Sequence, residues 1–362
     1  MSGTNLKTAD SPVIQRDKCL KSLNSLSLAA RAEYFCEVVS VSQIRDALVF
    51  AQSKNLCITP LGAGSNVVLA GNLKGLVMYL GLAGITYKYP EHKPSSTVDV
   101  TFSAGENWHA AVEYCLSSGW YGIENLSLIP GNIGAAVIQN IGAYGVEISD
   151  VLVRVTAIDI ASGETLIFDK EGCEFGYRDS IFKRSLKDRC IVIAITLRLS
   201  TDRCVNIEYP ALSSHFADVS EPLSPEMVSD AVCKIRRSKL PNPNELANVG
   251  SFFKNPIISM NKLQDLQNKI QAERLEIPFY NFSRDHVKVP AAWLVEYCKF
   301  RGYRHGSAGV HKDHAIVLVN YDEDHIENSS ADILALAANI VETVNAEFNI
   351  SLEVEPRIYG VI

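Results

Sequence analysis

Residues 122–145 read Gly-Ile-Glu-Asn-Leu-Ser-Leu-Ile-Pro-Gly-Asn-Ile-Gly-Ala-Ala-Val-Ile-Gln-Asn-Ile-Gly-Ala-Tyr-Gly. Five glycines and a proline make this a poor helix, and so apolar a run makes a poor solvent loop. It suits a backbone that folds tightly against something flat and anionic. Glycine lets main-chain N–H groups approach a pyrophosphate with no side chain in the way. Glu124 and, just beyond the run, Glu147 are the charged residues here, so polar contacts fall to the backbone, Gln139 and Asn140. A buried glycine-rich packing segment has the same composition, and other motifs must decide between the two.

Composition narrows the class. A chain of 362 residues suggests two or three domains, and 47% hydrophobic with 21% charged content describes an ordinary soluble protein with real cores. A net charge of −7 argues against nucleic acid as a partner. Apolar stretches such as Ile191–Leu197 and Ala315–Val319 are too short to cross a bilayer, so no membrane insertion is expected. Met1 to Asn24 lacks the apolar core of a secretory signal, and residues 1–17 read as a flexible leader. Nine scattered cysteines without a Cys-x-x-Cys pair fit reduced, mostly buried thiols and a cytoplasmic location, with neither a disulfide frame nor a zinc site.

The first third alternates strand and helix. Glu33–Val39 reads as a strand, and Ser42 can cap a helix over Gln43–Lys54 with Ile44, Leu48 and Val49 on one face. Cys57–Leu61 and Thr97–Ala104 read as strands, and Asn107–Ser118 as a helix burying Trp108, Val112 and Cys115. From Val151 the pattern turns β-rich, with a hairpin signal at Ala161-Ser162-Gly163. Leu240-Pro241-Asn242-Pro243-Asn244 marks a boundary, after which helices at 261–271, 291–300 and 331–348 and strands at 315–320 and 352–359 follow.

Several motifs can carry chemistry. Gly62-Ala63-Gly64-Ser65-Asn66 follows a strand and serves as a phosphate nest or equally as a tight turn; it has neither a Rossmann fingerprint nor a P-loop lysine. Phe175-Gly176-Tyr177-Arg178-Asp179 is either a surface Arg–Asp pair or a clamp in which Arg178 meets a carboxylate or developing negative charge. Arg236-Arg237-Ser238-Lys239 is a basic helix end that can also hold phosphates. In Gly250-Ser251-Phe252-Phe253 the nucleophile pattern of a serine hydrolase is missing, so an active Ser251 would donate a proton rather than attack. His305, His311 and His314 lack metal-ligand spacing, and no metal is expected. Glu353 and Glu355 share one face of the last strand, and an inward-facing acid there needs a partner or a role.

Taken in order, Gly62–Asn66, Gly105-Glu106-Asn107-Trp108-His109, Gly122–Gly145, Phe175–Lys183, Gly250–Pro256 and Glu355 resemble the UDP-N-acetylenolpyruvoylglucosamine reductase family of flavoproteins, over about Glu33 to Tyr359. The resemblance implies an α+β, three-domain FAD-binding fold of the vanillyl-alcohol-oxidase-like (PCMH-type) class with a separate substrate domain. Its implied parts are residues 18–88 with 350–362 and residues 89–240 as FAD-binding subdomains, and 241–349 as the substrate-binding domain. The implied cofactor contacts are Gly62, Gly64, Ser65, Asn66, Pro130, Gly131, Ile133, Gly134, Gln139, Asn140, Gly142, Tyr144 and Tyr177.

The implied reaction has two steps, a hydride passing from NADPH to FAD and then from FAD to the enol ether of UDP-N-acetylglucosamine enolpyruvate. Arg178 and Glu355 would stabilise the enolate-like charge and Ser251 would protonate the carbon, a carbanion being basic enough for a hydroxyl to suffice. Glu355 would have to carry a proton to donate a hydrogen bond there. Lys239 and Asn255 match substrate-contacting positions, and Tyr209 the loop tyrosine of one subtype. Two departures are visible: Asn24-Ser25-Leu26 stands where relatives often start a strand with Asn-Thr-Phe or Thr-Thr-Phe, and Ala63 where they often have glutamate. A monomer is expected. The rival readings are an oxidase of the same fold class acting on a hydroxy acid or sugar, and a non-catalytic sugar-nucleotide sensor.

Overall fold

The computed structural model describes residues 11–90, 96–270, 274–321 and 329–360. Its first elements are β1 (Gln15–Cys19), β2 (Arg31–Val38), α1 (Val41–Ser53), β3 (Ile58–Leu61), β4 (Val67–Leu69), β5 (Leu73–Leu80), β6 (Ile85–Lys88) and β7 (Thr97–Ser103). The middle holds α2 (Trp108–Ser117), α3 (Ile133–Ala136), β8 (Gly142–Ala143), β9 (Val146–Glu147), α4 (Ile148–Val151), β10 (Leu152–Asp159), β11 (Thr165–Asp169) and β12 (Cys190–Ser200). Next come α5 (Pro210–His215), α6 (Pro225–Lys239), β13 (Asn248–Ser251), β14 (Ile257–Ser259), α7 (Met260–Ile270), β15 (Tyr280–Asn281) and β16 (His286–Lys288). The chain closes with α8 (Ala291–Tyr297), β17 (Arg304–His305), β18 (Ala308–Val310), β19 (Val317–Asn320), α9 (Ser329–Phe348) and β20 (Arg357–Tyr359).

These elements form two compact units. The first gathers the chain up to Lys18, Arg31–Gly64 and Leu73–Arg236; the second gathers Cys19–Ala30, Ser65–Asn72 and the chain from Arg237.

In the first unit β2, β5 and β3 are parallel neighbours, with β1 on the outer side of β2. β5 lies inside this sheet and most of its residues are buried, as befits a central parallel strand. Its run, Leu-Lys-Gly-Leu-Val-Met-Tyr-Leu, shows no alternation, which is why period-2 reading passes over it. Helix α1 is capped by Ser40, whose Oγ accepts from Gln43 N at 3.2 Å, two residues before the expected Ser42. It buries Ile44, Ala47, Leu48 and Ala51, whereas Val49, expected inward, is 64% exposed because it lies off that stripe. A second, antiparallel sheet runs β11-β10-β12-β7-β6. Helix α2 buries Trp108, Val112 and Cys115 against it, and Leu126, Ile133 and Ile141 of the glycine run enter the same core. Thus part of the run packs as core while its glycine turns do other work.

In the second unit β13, β19, β18 and β17 form an antiparallel sheet beside α9, and β14, β16 and β15 form a smaller one. Phe348 of α9 packs on Trp293 and Tyr297 of α8, with ring centroids 5.9 and 5.1 Å away. β20 pairs in parallel with β4. The expected strand 352–359 shortens to Arg357–Tyr359, interrupted by Pro356, which has no N–H to donate.

Of the expected leader, residues 1–10 lie outside the described residues, and Gln15–Cys19 is strand β1 rather than loose chain. None of the nine cysteines is disulfide-bonded, yet Cys19, Cys57 and Cys204 are exposed, not buried. Among the described residues no helix is long and apolar enough to cross a membrane.

Candidate functional site

The first unit brings three of the sequence motifs together. Strand β3 delivers Gly62-Ala63-Gly64, and Ala63 N donates to Asn132 Oδ1 at 2.7 Å. Asn132 Nδ2 in turn donates to the Gly105 carbonyl. Trp108 N donates to Gly131 O at 3.0 Å, Ile133 N to Glu106 O at 2.9 Å and Gly134 N to Ala104 O at 2.9 Å. A Cβ at Gly134 would lie 2.6 Å from the Ala104 methyl, so only glycine permits this approach. Gly64 at φ +64° and Gly131 at φ +117° take angles other residues avoid. The amide N–H groups of Gly64, Gly131 and Asn132 find no acceptor among the described residues. Main-chain donors left this way in a largely buried turn call for an acceptor from outside the chain, and a dinucleotide diphosphate fits them. Ile133 is buried within α3, and Pro130 is exposed at its approach.

The C-terminal half of the glycine run is organised around Asn140 and Arg178. Asn140 is buried, and its Nδ2 donates to Glu147 Oε2 at 2.7 Å and Gly176 O at 3.1 Å, while Oδ1 accepts from Ser149 N at 3.1 Å. Its side chain therefore holds the loop, leaving half-exposed Gln139, Gly142 and Tyr144 as the surface. Leu128, Asn140, Tyr144 and Arg178 all have left-handed backbones, at φ +60, +46, +49 and +53°. Such strain, of order 1–3 kcal/mol per residue, gathers at functional sites.

Arg178 sits third in the tight turn Gly176–Asp179, closed by Asp179 N donating to Gly176 O at 3.2 Å. That position favours glycine. Its guanidinium donates to the Asn140 carbonyl at 3.4 Å and to the Gly142 carbonyl, and lies 3.9 Å from Glu147 Oε1. A Cβ at Gly142 would come within 2.9 Å of that guanidinium, so the glycine makes room for it. Asp179, the sequence neighbour, pairs instead with Arg184, so the bland reading of an Arg178–Asp179 bridge is not what forms. The Tyr177 ring lies 5.4 Å from Arg178 Cζ. Tyr209 stands at the N-terminal cap of α5 and meets the Tyr144 ring edge-on at 5.4 Å; burial pushes the Tyr144 hydroxyl above its ordinary value.

The second unit carries Ser65, Asn66, Lys239, Ser251, Asn255 and Glu355. Ser65 and Asn66 are half-buried, and Asn66 O accepts from Arg357 N at 3.0 Å, leading into β4 and β20. β13 pairs with β19 as Asn248 to Val319 and Ser251 to Val317, so one strand advances three residues while the other advances two. This bulge is made at Gly250, φ +70°, and it re-aims Ser251. Phe252 and Phe253 behind it are fully buried. The chain then runs beside residues 353–355: Lys254 N donates to Glu353 O at 2.9 Å and Glu355 N to Phe252 O at 2.9 Å. Glu355 is thereby placed across from the residue next to Ser251.

Glu353 is taken by Lys254, Nζ to Oε1 2.5 Å. Asn255 Oδ1 accepts from Ala291 N at 2.9 Å and so caps α8, leaving its Nδ2 donor end without a partner among the described residues. Lys239 is exposed at the end of α6, near enough to His314 to help burial hold that imidazole below its ordinary value. Among the described residues no group of three His, Cys, Asp or Glu is arranged to hold a metal ion.

Sequence reasoning missed Asn132, whose amide ties the two glycine motifs together. A lone Asn after Gly131 carries no local signal of a bond to Ala63, 69 residues away. It also missed that the Nε of Arg236, read as part of a solvated helix end, is sealed from solvent.

Known proteins supply the family. Residues 32–169 match an FAD-binding domain, and residues 242–359 match the C-terminal domain of UDP-N-acetylenolpyruvoylglucosamine reductase. A UDP-N-acetylenolpyruvoylglucosamine reductase of Pseudomonas putida is 39% identical over 347 residues, covering 95% of this chain and 98% of its own. One from Amoebophilus asiaticus is 40% identical over 346 residues, covering 95% and 99%. The crystal structure of the reductase from Thermus caldophilus superposes with a TM-score of 0.63 at 20% identity, over 96% of this chain and all of the other. The fold is accordingly α+β, with an FAD-binding domain of the vanillyl-alcohol-oxidase-like class and a separate substrate domain. With two-fifths of its residues shared along nearly its whole length, the chain belongs to the UDP-N-acetylenolpyruvoylglucosamine reductase family.

Proposed function

We propose that this protein is the NADPH- and FAD-dependent reductase that converts UDP-N-acetylglucosamine enolpyruvate to UDP-N-acetylmuramate, a precursor of peptidoglycan, in the cytoplasm. The observation that carries the reading is the near full-length likeness to reductases of that name, with Arg178, Ser251 and Glu355 all present. When bound, FAD supplies the hydride relay, accepting from NADPH and delivering to the outer carbon of the enol ether. The protein's part is to bind, orient and manage charge and proton. Gly62, Gly64, Ser65 and Asn66 with Pro130, Gly131, Ile133 and Gly134 hold the dinucleotide, a reading supported by the main-chain N–H groups of Gly64, Gly131 and Asn132, which find no acceptor among the described residues. Gln139, Gly142, Tyr144 and Tyr177 line it, and Asn140 fixes their loop.

As the substrate gains hydride, negative charge spreads from the carbon onto its carboxylate. Arg178, already oriented by the Asn140 and Gly142 carbonyls, is pre-set to face such charge without reorganising. Glu355 assists, and the Ser251 hydroxyl gives its proton to the carbon, from a rigid bulge backed by buried phenylalanines. Lys239 and the free amide donor of Asn255 hold the nucleotide or phosphates, and Tyr209 closes over them as in the tyrosine-loop subtype. The division of labour follows residues 18–88 with 350–362 and 89–240 for FAD, and 241–349 for substrate, in a monomer.

The test is an anaerobic visible spectrum of the purified protein. The flavin band is expected to bleach with NADPH and to return on adding UDP-N-acetylglucosamine enolpyruvate. A band that bleaches and stays bleached would discard this substrate, and no flavin band even with added FAD would discard the cofactor.

A further inference from the structure

The buried Asn125 lies in the short 3-10 turn Glu124–Leu126, in the first half of the glycine run. Its neighbours fix it in place. Leu126 enters the core, its carbonyl accepts from Trp108 Nε1 at 2.9 Å, and Ser127 Oγ donates to the Glu124 carbonyl at 2.6 Å. From this anchored base the Asn125 amide reaches two distant segments at once. Nδ2 donates to the Tyr144 carbonyl at 2.9 Å, 19 residues away, and to the Asn206 carbonyl at 2.9 Å, 81 residues away. Both acceptors are carbonyls, so the NH2 end faces them and each of its two protons is used.

Both segments lead to side chains assigned above to ligands. Tyr144, left-handed at φ +49°, belongs to the surface assigned to the cofactor. Asn206 shapes the approach to Tyr209: its Oδ1 accepts from Glu208 N at 3.1 Å, and Tyr209 follows as the cap of α5. The two tyrosine rings meet edge-on at 5.4 Å, and a Cβ at Gly145 would lie 3.9 Å from Tyr209 Cβ. Val205 and Ile207, on either side of Asn206, pack with Tyr144 on the same core of Leu212, Phe216 and Val228. A side chain that only filled this space would be apolar, and a carboxylate would set its oxygens against two carbonyls. A primary amide donates to both from one atom. We propose that Asn125 is a positioning residue for the reaction: its amide ties the flavin-lining turn at Tyr144 to the segment carrying Tyr209, so that a seated cofactor sets Tyr209 where it meets the substrate's nucleotide. The proposal rests on the function proposed above and adds to it the residue that joins the cofactor loop to the substrate tyrosine.

The test compares FAD-loaded wild type with Asn125→Leu, Tyr209→Ala and the double variant. In steady-state turnover Asn125→Leu raises KM for UDP-N-acetylglucosamine enolpyruvate about tenfold, as expected for two lost neutral hydrogen bonds, with a smaller change in kcat. In the Tyr209→Ala background the same substitution leaves KM where Tyr209→Ala alone puts it, because the seat no longer carries a ring. Effects that multiply overturn the proposal, as does an unchanged KM in Asn125→Leu. Amide hydrogen exchange on peptides covering residues 205–212 needs neither turnover nor a variant. FAD added to the stripped wild type slows exchange there relative to α1, because the seated cofactor steadies the turn to which Asn125 ties this segment. Exchange that does not respond to FAD overturns the proposal, even where Asn125→Leu fails to fold. In folded Asn125→Leu the slowing is lost, and its persistence also overturns the proposal. A wild type that shows the slowing but does not turn over the enolpyruvyl sugar defeats the functional reading and leaves the Asn125 link standing.

Discussion

At the scale of single residues, Arg178 is held against local backbone preference. Its turn position favours glycine, and holding an arginine at φ +53° costs on the order of 1–2 kcal/mol. The guanidinium is what the position retains. Arg178→Lys keeps charge and backbone strain but loses the fork held by the two carbonyls. Its reoxidation rate by the enolpyruvyl substrate is expected to fall about 100-fold with the thermal midpoint little changed, which stopped-flow and calorimetry check together.

Ser251→Ala separates the two half-reactions. Flavin bleaching by NADPH should stay near the wild-type rate while its return with substrate slows by about 100-fold or more; equal loss in both would remove Ser251 as the proton donor. Glu124 makes a pH prediction. It is 3% exposed, and burial pushes its carboxyl above the ordinary value even though Gly122 N donates to it at 2.6 Å. Between the ordinary and the raised value the native state holds a proton the unfolded state has lost, so stability falls as pH rises through that window. Glu124→Gln keeps an acceptor for Gly122 and removes the charge. Its melting temperature should match wild type in acid and exceed it at pH 8.

At the scale of elements, the glycine run alternates between core-anchored stretches and glycine turns. Alternate stretches of it, Leu126, Ile133 and Ile141, are anchored in the core, so the turns between them are held rigidly. Gly134 lies where that rigidity is tightest, since an added methyl would meet Ala104 Cβ at 2.6 Å and its Cα and O at 3.3 Å. Gly134→Ala should therefore cost about 1–3 kcal/mol of stability and weaken FAD retention by moving the Gly131–Gly134 donors, as measured by thermal melting and flavin content after gel filtration. The bulge at Gly250 plays the matching part in the second unit. The Gly250 freedom was visible in the chain, but that it would be used for one extra residue opposite Val317 and Val319 depended on β19, more than sixty residues later.

At the scale of the whole molecule, the ligand completes an accounting that the chain leaves open. Main-chain donors at Gly64, Gly131 and Asn132 have no acceptor among the described residues, so a bound dinucleotide should add stability by mass action. Adding FAD at 100 times its dissociation constant to the stripped protein is expected to contribute about 2.7 kcal/mol, seen as a rise of several degrees in melting temperature; no rise would mean the cradle is misassigned. Glycine placement, apolar stripes and the Pro-Asn break after Leu240 were legible because each acts over a few neighbouring residues. Together with the order of the motifs, they were enough for the fold class and the reaction. The tertiary structure alone decided that Asn132 joins the two glycine turns, that Asp179 belongs to Arg184, that β5 is a central strand, and that Arg236 faces inward. Each of these depends on which distant segment arrives to share a hydrogen bond, a charge or a buried surface, and local propensity carries no information about that choice.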